Sequence, residues 1–318
     1  MGKFPTISDV IHARDRITPH IFRTPLHHYP SLDSLIGAEV YVKHESYQKL
    51  GSFKIRGALN LISQLTDHEK SSGVIAASTG NFGQGIAYAS KIFGVQACVV
   101  VPIDANPDKV DSMRLLGAEI IFHGNNFDEC REHAEFLSKT KGFRYVHSAN
   151  EPLLISGVGT YTLEIIEDLP DLDVLIVPIG GGSGACGACI VAKDIAPDAK
   201  VIGVQALNAQ GAYRSWKEGK SVEYESHTIA EGLATNIGFD LTQDILRNLL
   251  DDFVLVSDDE MTRSIILHLE KTHSLAEYAG ASALAAAVKI KDQLRNKKIV
   301  LVMSGGNITI DQLRSVLT

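Results

Sequence analysis

A chain of 318 residues, 45% of them hydrophobic, is long enough to bury a large core and to divide into two lobes. Its formal net charge of -8, with no run of Lys or Arg, argues against a nucleic-acid or anionic-membrane partner and for small-molecule ligands. No stretch approaches the roughly 18 to 20 apolar residues of a membrane helix, and the N-terminus lacks the apolar segment of a signal peptide, so a cytoplasmic protein is expected.

In chain order, Met1-Gly2 with Thr6 fits the myristoylation pattern, but Thr6 reads better as the cap of a helix carrying Val10, Ile11 and Ile17. Gly51-Ser52-Phe53-Lys54-Ile55-Arg56-Gly57 then sets a lone lysine beside an aromatic ring, ahead of a helical period through Ala58, Leu59, Leu61, Ile62 and Leu65. Lys54 has two readings. It is either a solvated charge on the first turn of that helix, or an amine nucleophile able to form a Schiff base where its surroundings favour the uncharged form.

A polar linker, Thr66 to Ser72, precedes the strand Gly73 to Ser78. A helix from Gly83 to Phe93, ended by Gly94, leads to the strand Val95 to Val101. Asp108 to Leu116 is a helix closed by Gly117, and Ala118 to Phe122 is a third strand. This β-α-β-α-β order predicts a small parallel sheet with helical crossovers. After His147 to Pro152 the pattern resumes with strands Asp173 to Ile179, Val201 to Gln205 and Lys298 to Met303. The fold class is therefore α/β with two domains: residues 1–66 and 152–318 form a discontinuous large domain, and residues 73–151 a small one. Ala206 to Glu225 carries no assignable pattern.

Cys98, Cys130, Cys186 and Cys189 are too few and too scattered for the disulfide framework of a secreted domain, which suits a reducing compartment. Cys186 and Cys189 form a C-x-x-C, but no second pair follows at ligand spacing, and their Gly and Ala neighbours favour close packing.

Three loops follow predicted parallel strands, where ligands bind in open α/β sheets. Ser78-Thr79-Gly80-Asn81-Phe82-Gly83 opens a helix with free amides and a positive dipole end, suited to a carboxylate. Gly180-Gly181-Gly182-Ser183-Gly184 lets the backbone wrap an anion, most naturally a phosphate. It also begins a G-x-G-x-x-G from Gly182 to Gly187, the dinucleotide fingerprint. That rival NAD reading wants an acidic residue where Gln205 stands. The third loop is Ser304-Gly305-Gly306-Asn307. With Lys54, the three supply the parts that pyridoxal phosphate chemistry on an amino acid requires.

Thr24-Pro25-Leu26, Gly51 to Ala58, Ser78 to Asn81, Gly180 to Gly184, Thr228-Ile229-Ala230-Glu231-Gly232 and Ser304 to Asn307 occur in a familiar order. On these motifs, nearly the whole chain resembles the fold-type II pyridoxal-phosphate enzymes (tryptophan synthase β-like), and within them the serine/threonine dehydratase and serine racemase group. The resemblance implies open, mostly parallel sheets flanked by helices, pyridoxal 5'-phosphate as cofactor, and a homodimer. It implies Lys54 as Schiff-base lysine and α-proton base, Phe53 as a ring contact, and Asn81 as partner of the cofactor's 3-hydroxyl. Ser78, Thr79, Gly80 and Asn81 would hold the substrate carboxylate. Gly180, Gly181, Gly182, Ser183 and Gly184 would hold the phosphate, Ser304 would face the pyridine nitrogen, and Glu277 would stand near the substrate.

Three departures qualify the resemblance. Phe82 stands where the family commonly has His. Gln205, Ala209 and Gly211 stand where several members bind a divalent cation through two carboxylates and a backbone carbonyl, so no such metal is expected. The chain ends soon after Asn307, so no regulatory domain and no end-product feedback is expected. The implied reaction is β-elimination from an L-threonine or L-serine type substrate to a 2-oxo acid and ammonia. The alternative is a racemase using Thr79 on the face opposite Lys54, where the serine racemases carry a serine. A non-catalytic amino-acid sensor is disfavoured, since binding alone does not call for Lys54.

Overall fold

The computed structural model describes residues 4–318; Met1 and Gly2, and with them the myristoylation pattern, lie outside the described residues. Ten strands occur in order: β1 Leu26–His28, β2 Glu39–His44, β3 Val74–Ala77, β4 Ala97–Val101, β5 Glu119–Phe122, β6 Arg144–Tyr145, β7 Val174–Pro178, β8 Lys200–Ala206, β9 Asp252–Val256 and β10 Lys298–Met303. They form a six-stranded sheet in the order β1-β2-β10-β7-β8-β9 and a four-stranded sheet in the order β5-β4-β3-β6. Among the described residues, only β1, at one edge, runs antiparallel to its neighbour in the sheet.

Both sheets are covered on both faces, so their central strands read as unbroken apolar runs rather than alternating ones. All five residues of β4 are buried, as are Ile299 to Met303 of β10. Leu175, Val177, Val300 and Val302 face one core cluster, while Val174, Ile176, Ile299 and Leu301 face another. The first cluster continues into the four-stranded unit through Ala76, Ile86 and Val99.

The α/β class and the predicted strands hold to within two residues at each end. Four local expectations change. The Thr66 to Ser72 linker is a helix, Asp67–Ser72, because Thr66 and Glu69 form a reciprocal capping box. The helix opening the carboxylate loop begins at Asn81, not Gly83, since the Ser78 hydroxyl accepts the Gly83 amide at 2.8 Å. The N-terminal helix Ile7–Ile17 is capped by Thr6 as expected, yet Ile11 is exposed and the buried face is Val10, Ala13 and Ile17. The unassigned Ala206 to Glu225 stretch contains a helix, Gly211–Glu218, closed by Gly219 in the left-handed region.

Helix Lys54–Ser63 is the central one. Gly157, in helix Pro152–Asp168, lets the two helices nearly touch, since a Cβ there would meet the Arg56 carbonyl at 2.7 Å. Beneath the first turn lies a buried cluster of four charges. Arg56 donates to Glu45 at 2.8 Å and to Glu164 at 2.7 Å, and Lys43 donates to Glu164 at 2.6 Å. With two charges of each sign, every buried ion has a partner. The backbone that carries Lys54 is thereby fixed from below.

Candidate active site

The helices after β7 and β10 leave on opposite faces of the sheet: Ser183–Ile195 packs in the first core cluster, whereas Val316 of Ile310–Leu317 packs in the second. Their two loops therefore open a crevice at the carboxyl end of adjacent strands, the usual ligand site of such sheets. The lysine segment is stitched along it. The Phe53 amide donates to the Ser304 carbonyl at 3.1 Å, the Gly306 amide donates to the Gly51 carbonyl at 2.9 Å, and Ser52 bridges Gly305.

Lys54 is the first residue of its helix, so its side chain leaves the helix axis at the site. Its ammonium lies 4.9 Å from the centroid of the Phe53 ring. Burial lowers the Lys54 pKa to about 8, against the opposing pull of Glu277. An uncharged amine is thus accessible near neutral pH, the form a Schiff-base nucleophile requires. Phe53 meets Tyr161 edge-on, with ring centroids 6.1 Å apart, and the Tyr161 hydroxyl donates to the Gly184 carbonyl at 2.8 Å. A Cβ on Gly184 would stand 3.3 Å from the Phe53 ring. The lysine segment and the glycine loop are therefore held as one wall.

Across the crevice stands the loop from Ser78 to Asn81. The Ser78 hydroxyl accepts the amides of Gly80 at 3.1 Å and Gly83 at 2.8 Å, so it shapes the loop from within. Asn81 donates to Glu277 Oε1 at 2.8 Å and accepts from Asn307 Nδ2 at 2.7 Å. Burial raises the Glu277 pKa to about 7; Lys109 and the Asn81 hydrogen bond pull it down, and Glu231 pushes it up. Lys54, Ser78, Thr79, Gly80, Asn81, Phe82, Gly181 and Glu277 line a single cavity of about 830 Å³. Ser304 follows β10 directly and is buried, at 5% exposure.

The glycine loop is a cradle that side chains would fill. A Cβ on Gly180 would lie 2.2 Å from the Gly232 carbonyl oxygen, and Gly182 adopts φ 97° at the head of helix Ser183–Ile195, which has no side-chain cap. Open amides at a helix start suit a phosphate. In the lysine segment, the Ser52 hydroxyl is buried without a hydrogen-bond partner among the described residues. The residues present thus fit a phosphorylated pyridine aldehyde, with an amine to bind it and a cradle to anchor it.

The other motifs resolve structurally. Gly187 of the G-x-G-x-x-G lies in close helix contact, where a Cβ would stand 2.7 Å from the Gly159 amide. Gln205 is buried and accepts the Tyr213 amide at 2.9 Å, so it offers no acidic group to a ribose. Cys186 and Cys189 are free and buried in helix Ser183–Ile195, and burial pushes both thiols up, away from reactivity. Residues that sequence reasoning gave no role include Tyr161, Asn307, Lys109 and Glu231; the last two form an ion pair at 2.6 Å across the cavity mouth. Asn307 and Glu231 lie within motifs, but Lys109 sits on a helix with no local signal.

This crevice, lysine and glycine cradle define a fold-type II pyridoxal-phosphate enzyme. The chain belongs to the pyridoxal-phosphate dependent enzyme family, whose model matches residues 17–305. It is 39% identical to the L-threonine ammonia-lyase of Thermotoga maritima over 313 residues, covering 98% of this chain and 78% of that protein. It is 37% identical to the catabolic L-threonine dehydratase TdcB of Escherichia coli K12, covering 98% of this chain and 95% of that one. Among solved structures, maize serine racemase superposes with a TM-score of 0.93 at 32% identity, covering 99% of this chain and 97% of that one. Among the described residues, no helix is long and apolar enough to cross a membrane.

Proposed function

We propose that this chain is a pyridoxal-phosphate-dependent ammonia-lyase that converts a β-hydroxy amino acid of the L-threonine or L-serine type to a 2-oxo acid and ammonia. The observation that carries the reading is the placement of a low-pKa lysine, Lys54, on one wall of a cavity whose other wall is the Ser78 to Asn81 loop. The relatives named L-threonine ammonia-lyase and L-threonine dehydratase, similar over nearly the whole chain, support the substrate class.

When bound, the cofactor supplies an electron sink for the bond that breaks at Cα. The chain's own residues do the rest. Gly180, Gly181, Gly182, Ser183 and Gly184 would anchor the phosphate, Phe53 would back the ring, Asn81 would meet its 3-hydroxyl and Ser304 its nitrogen. Ser78, Thr79, Gly80 and Asn81 hold the substrate carboxylate, which fixes the Cα proton within reach of Lys54. Lys54 takes that proton, and the β-hydroxyl, receiving it back from the Lys54 ammonium, leaves as water. Tautomerisation and hydrolysis of the resulting enamine release the 2-oxo acid and ammonia. Glu277, with a pKa near neutrality, holds a proton close to the reacting atoms.

A second reading, racemisation, rests on the likeness to maize serine racemase and on Thr79, which lines the cavity. We place the small domain at residues 73–151, and we propose a cytoplasmic homodimer. Incubating the purified holoenzyme with L-threonine and L-serine tests the reading: formation of 2-oxobutanoate or pyruvate with equimolar ammonia is expected, and D-amino acid alone would favour the racemase.

A further inference from the structure

Lys109 and Glu231 lie 122 residues apart in the chain and belong to different sheets' connections, yet the Lys109 ammonium donates to Glu231 Oε2 at 2.6 Å. Both line the cavity. The Lys109 side chain is only 12% exposed, while Glu231 is 42% exposed. An ion pair open to water at one end adds little stability, so holding the fold together is a poor account of a lysine tucked this far in.

Its position is specific. The stem of Lys109 runs along Gly80: a Cβ built on Gly80 would lie 3.4 Å from Lys109 Cδ and 3.7 Å from its Nζ. Gly80 is the N-cap of the 13-residue helix Asn81–Phe93 and offers no side chain to cap it. Ser78 takes up the amides of Gly80 and Gly83, and the amides of Asn81 and Phe82 have no acceptor among the described residues. An anion seated on those open amides would lie beside the Lys109 ammonium.

We propose that Lys109 is a substrate-binding residue, its ammonium held over Gly80 by Glu231 to supply the positive charge that receives the substrate's α-carboxylate. An ammonium has three donors, so it keeps Glu231 while it gains the carboxylate. Glu231 in turn keeps the empty pocket from carrying an unpaired buried cation. This rests on the assignment of the Ser78 to Asn81 loop to the substrate carboxylate under the proposed function.

Lys109→Met keeps the stem over Gly80 and removes the charge, and Lys109→Arg keeps the charge. Two readouts apply to the holoenzyme: the L-threonine dependence of 2-oxo acid formation, and the titration of the bound cofactor's visible absorbance with glycine, which carries the α-carboxylate but no leaving group. In Lys109→Met both half-saturations rise by about ten- to a hundredfold, the loss of one charge-assisted contact, with kcat nearly unchanged. Lys109→Arg recovers most of the loss, and thermal midpoints of all three proteins agree. Half-saturations equal to wild type in Lys109→Met overturn the proposal, as does a fall in kcat at unchanged half-saturation. A wild type that turns over no β-hydroxy amino acid defeats the functional reading instead, and the glycine titration still reads Lys109 separately.

Discussion

Asn81 and Glu277, 196 residues apart in the chain, are joined by a hydrogen bond of 2.8 Å from the Asn81 amide to Glu277 Oε1. Asn81 opens a helix of the four-stranded unit, and Glu277 immediately precedes helix Tyr278–Lys289 of the six-stranded unit, so the bond spans the cavity. Asn307 donates to the other end of the same amide and to the Leu50 carbonyl, both at 2.7 Å, which fixes which way Asn81 points. Asn81 is thus oriented by groups from the far side of the crevice.

That contact has a pH consequence. Burial raises Glu277 from 4.5 to about 7, so the folded protein holds a proton that the unfolded chain releases above pH 4.5. The neutral carboxyl is the stable folded form; its contribution is fully present below pH 4.5 and is lost as pH rises toward 7. In cofactor-free protein, Glu277→Gln removes this dependence. The stability difference, variant minus wild type, should grow between pH 4.5 and 7 with a slope approaching about 1.4 kcal/mol per pH unit, read by urea denaturation. A difference flat across that window would mean Glu277 is already charged in the folded state.

The buried cluster under the lysine helix predicts a large effect from one substitution. Arg56 has no exposure and serves both Glu45 and Glu164. Arg56→Met leaves two buried carboxylates with only Lys43 and Thr24 to meet them, and should cost about 3–5 kcal/mol of stability. Thermal or urea unfolding measures it; a loss below about 1 kcal/mol would indicate that water reaches the cluster.

How much of this was readable beforehand follows from where the information lies. β3, β4, β7, β8 and β10 were legible because strands buried on both faces are continuous apolar runs bounded by Gly and Pro, and β5, with exposed ends, because its Ile-Ile-Phe run follows the Gly117 stop. β6, of only Arg144–Tyr145, was not, since two residues carry no period. Helix Gly211–Glu218 escaped because four of its eight residues, Arg214, Ser215, Lys217 and Glu218, are polar, with its glycine stop the one signal. At the site, Lys54 and the three loops announced themselves by unusual local composition. Tyr161, Lys109 and the Lys43, Glu45, Arg56 and Glu164 cluster did not, because each acts through a partner distant in sequence that only the fold supplies.

Under the proposed function, Thr79 is the residue that would separate elimination from racemisation. It lines the cavity, and its β-branching restricts χ1, so its hydroxyl is less free than a serine's to reach Cα. Thr79→Ala should leave 2-oxo acid formation within about tenfold of wild type and abolish any D-amino acid formed, read by coupled dehydrogenase assay and chiral chromatography. Arrested elimination in a variant that keeps its cofactor absorbance would place Thr79 on the elimination path.

The central claim is that Lys54 both binds the cofactor and moves the α-proton. Lys54→Ala removes the amine without removing core volume, so the variant should fold, lose the visible absorbance of lysine-bound cofactor, and lose L-threonine deamination by at least about four orders of magnitude. The decisive measurement is that rate beside the wild type, with circular dichroism showing an intact fold. Loss of both signals in a folded protein is the predicted result; deamination at more than about a tenth of the wild-type rate would contradict the account.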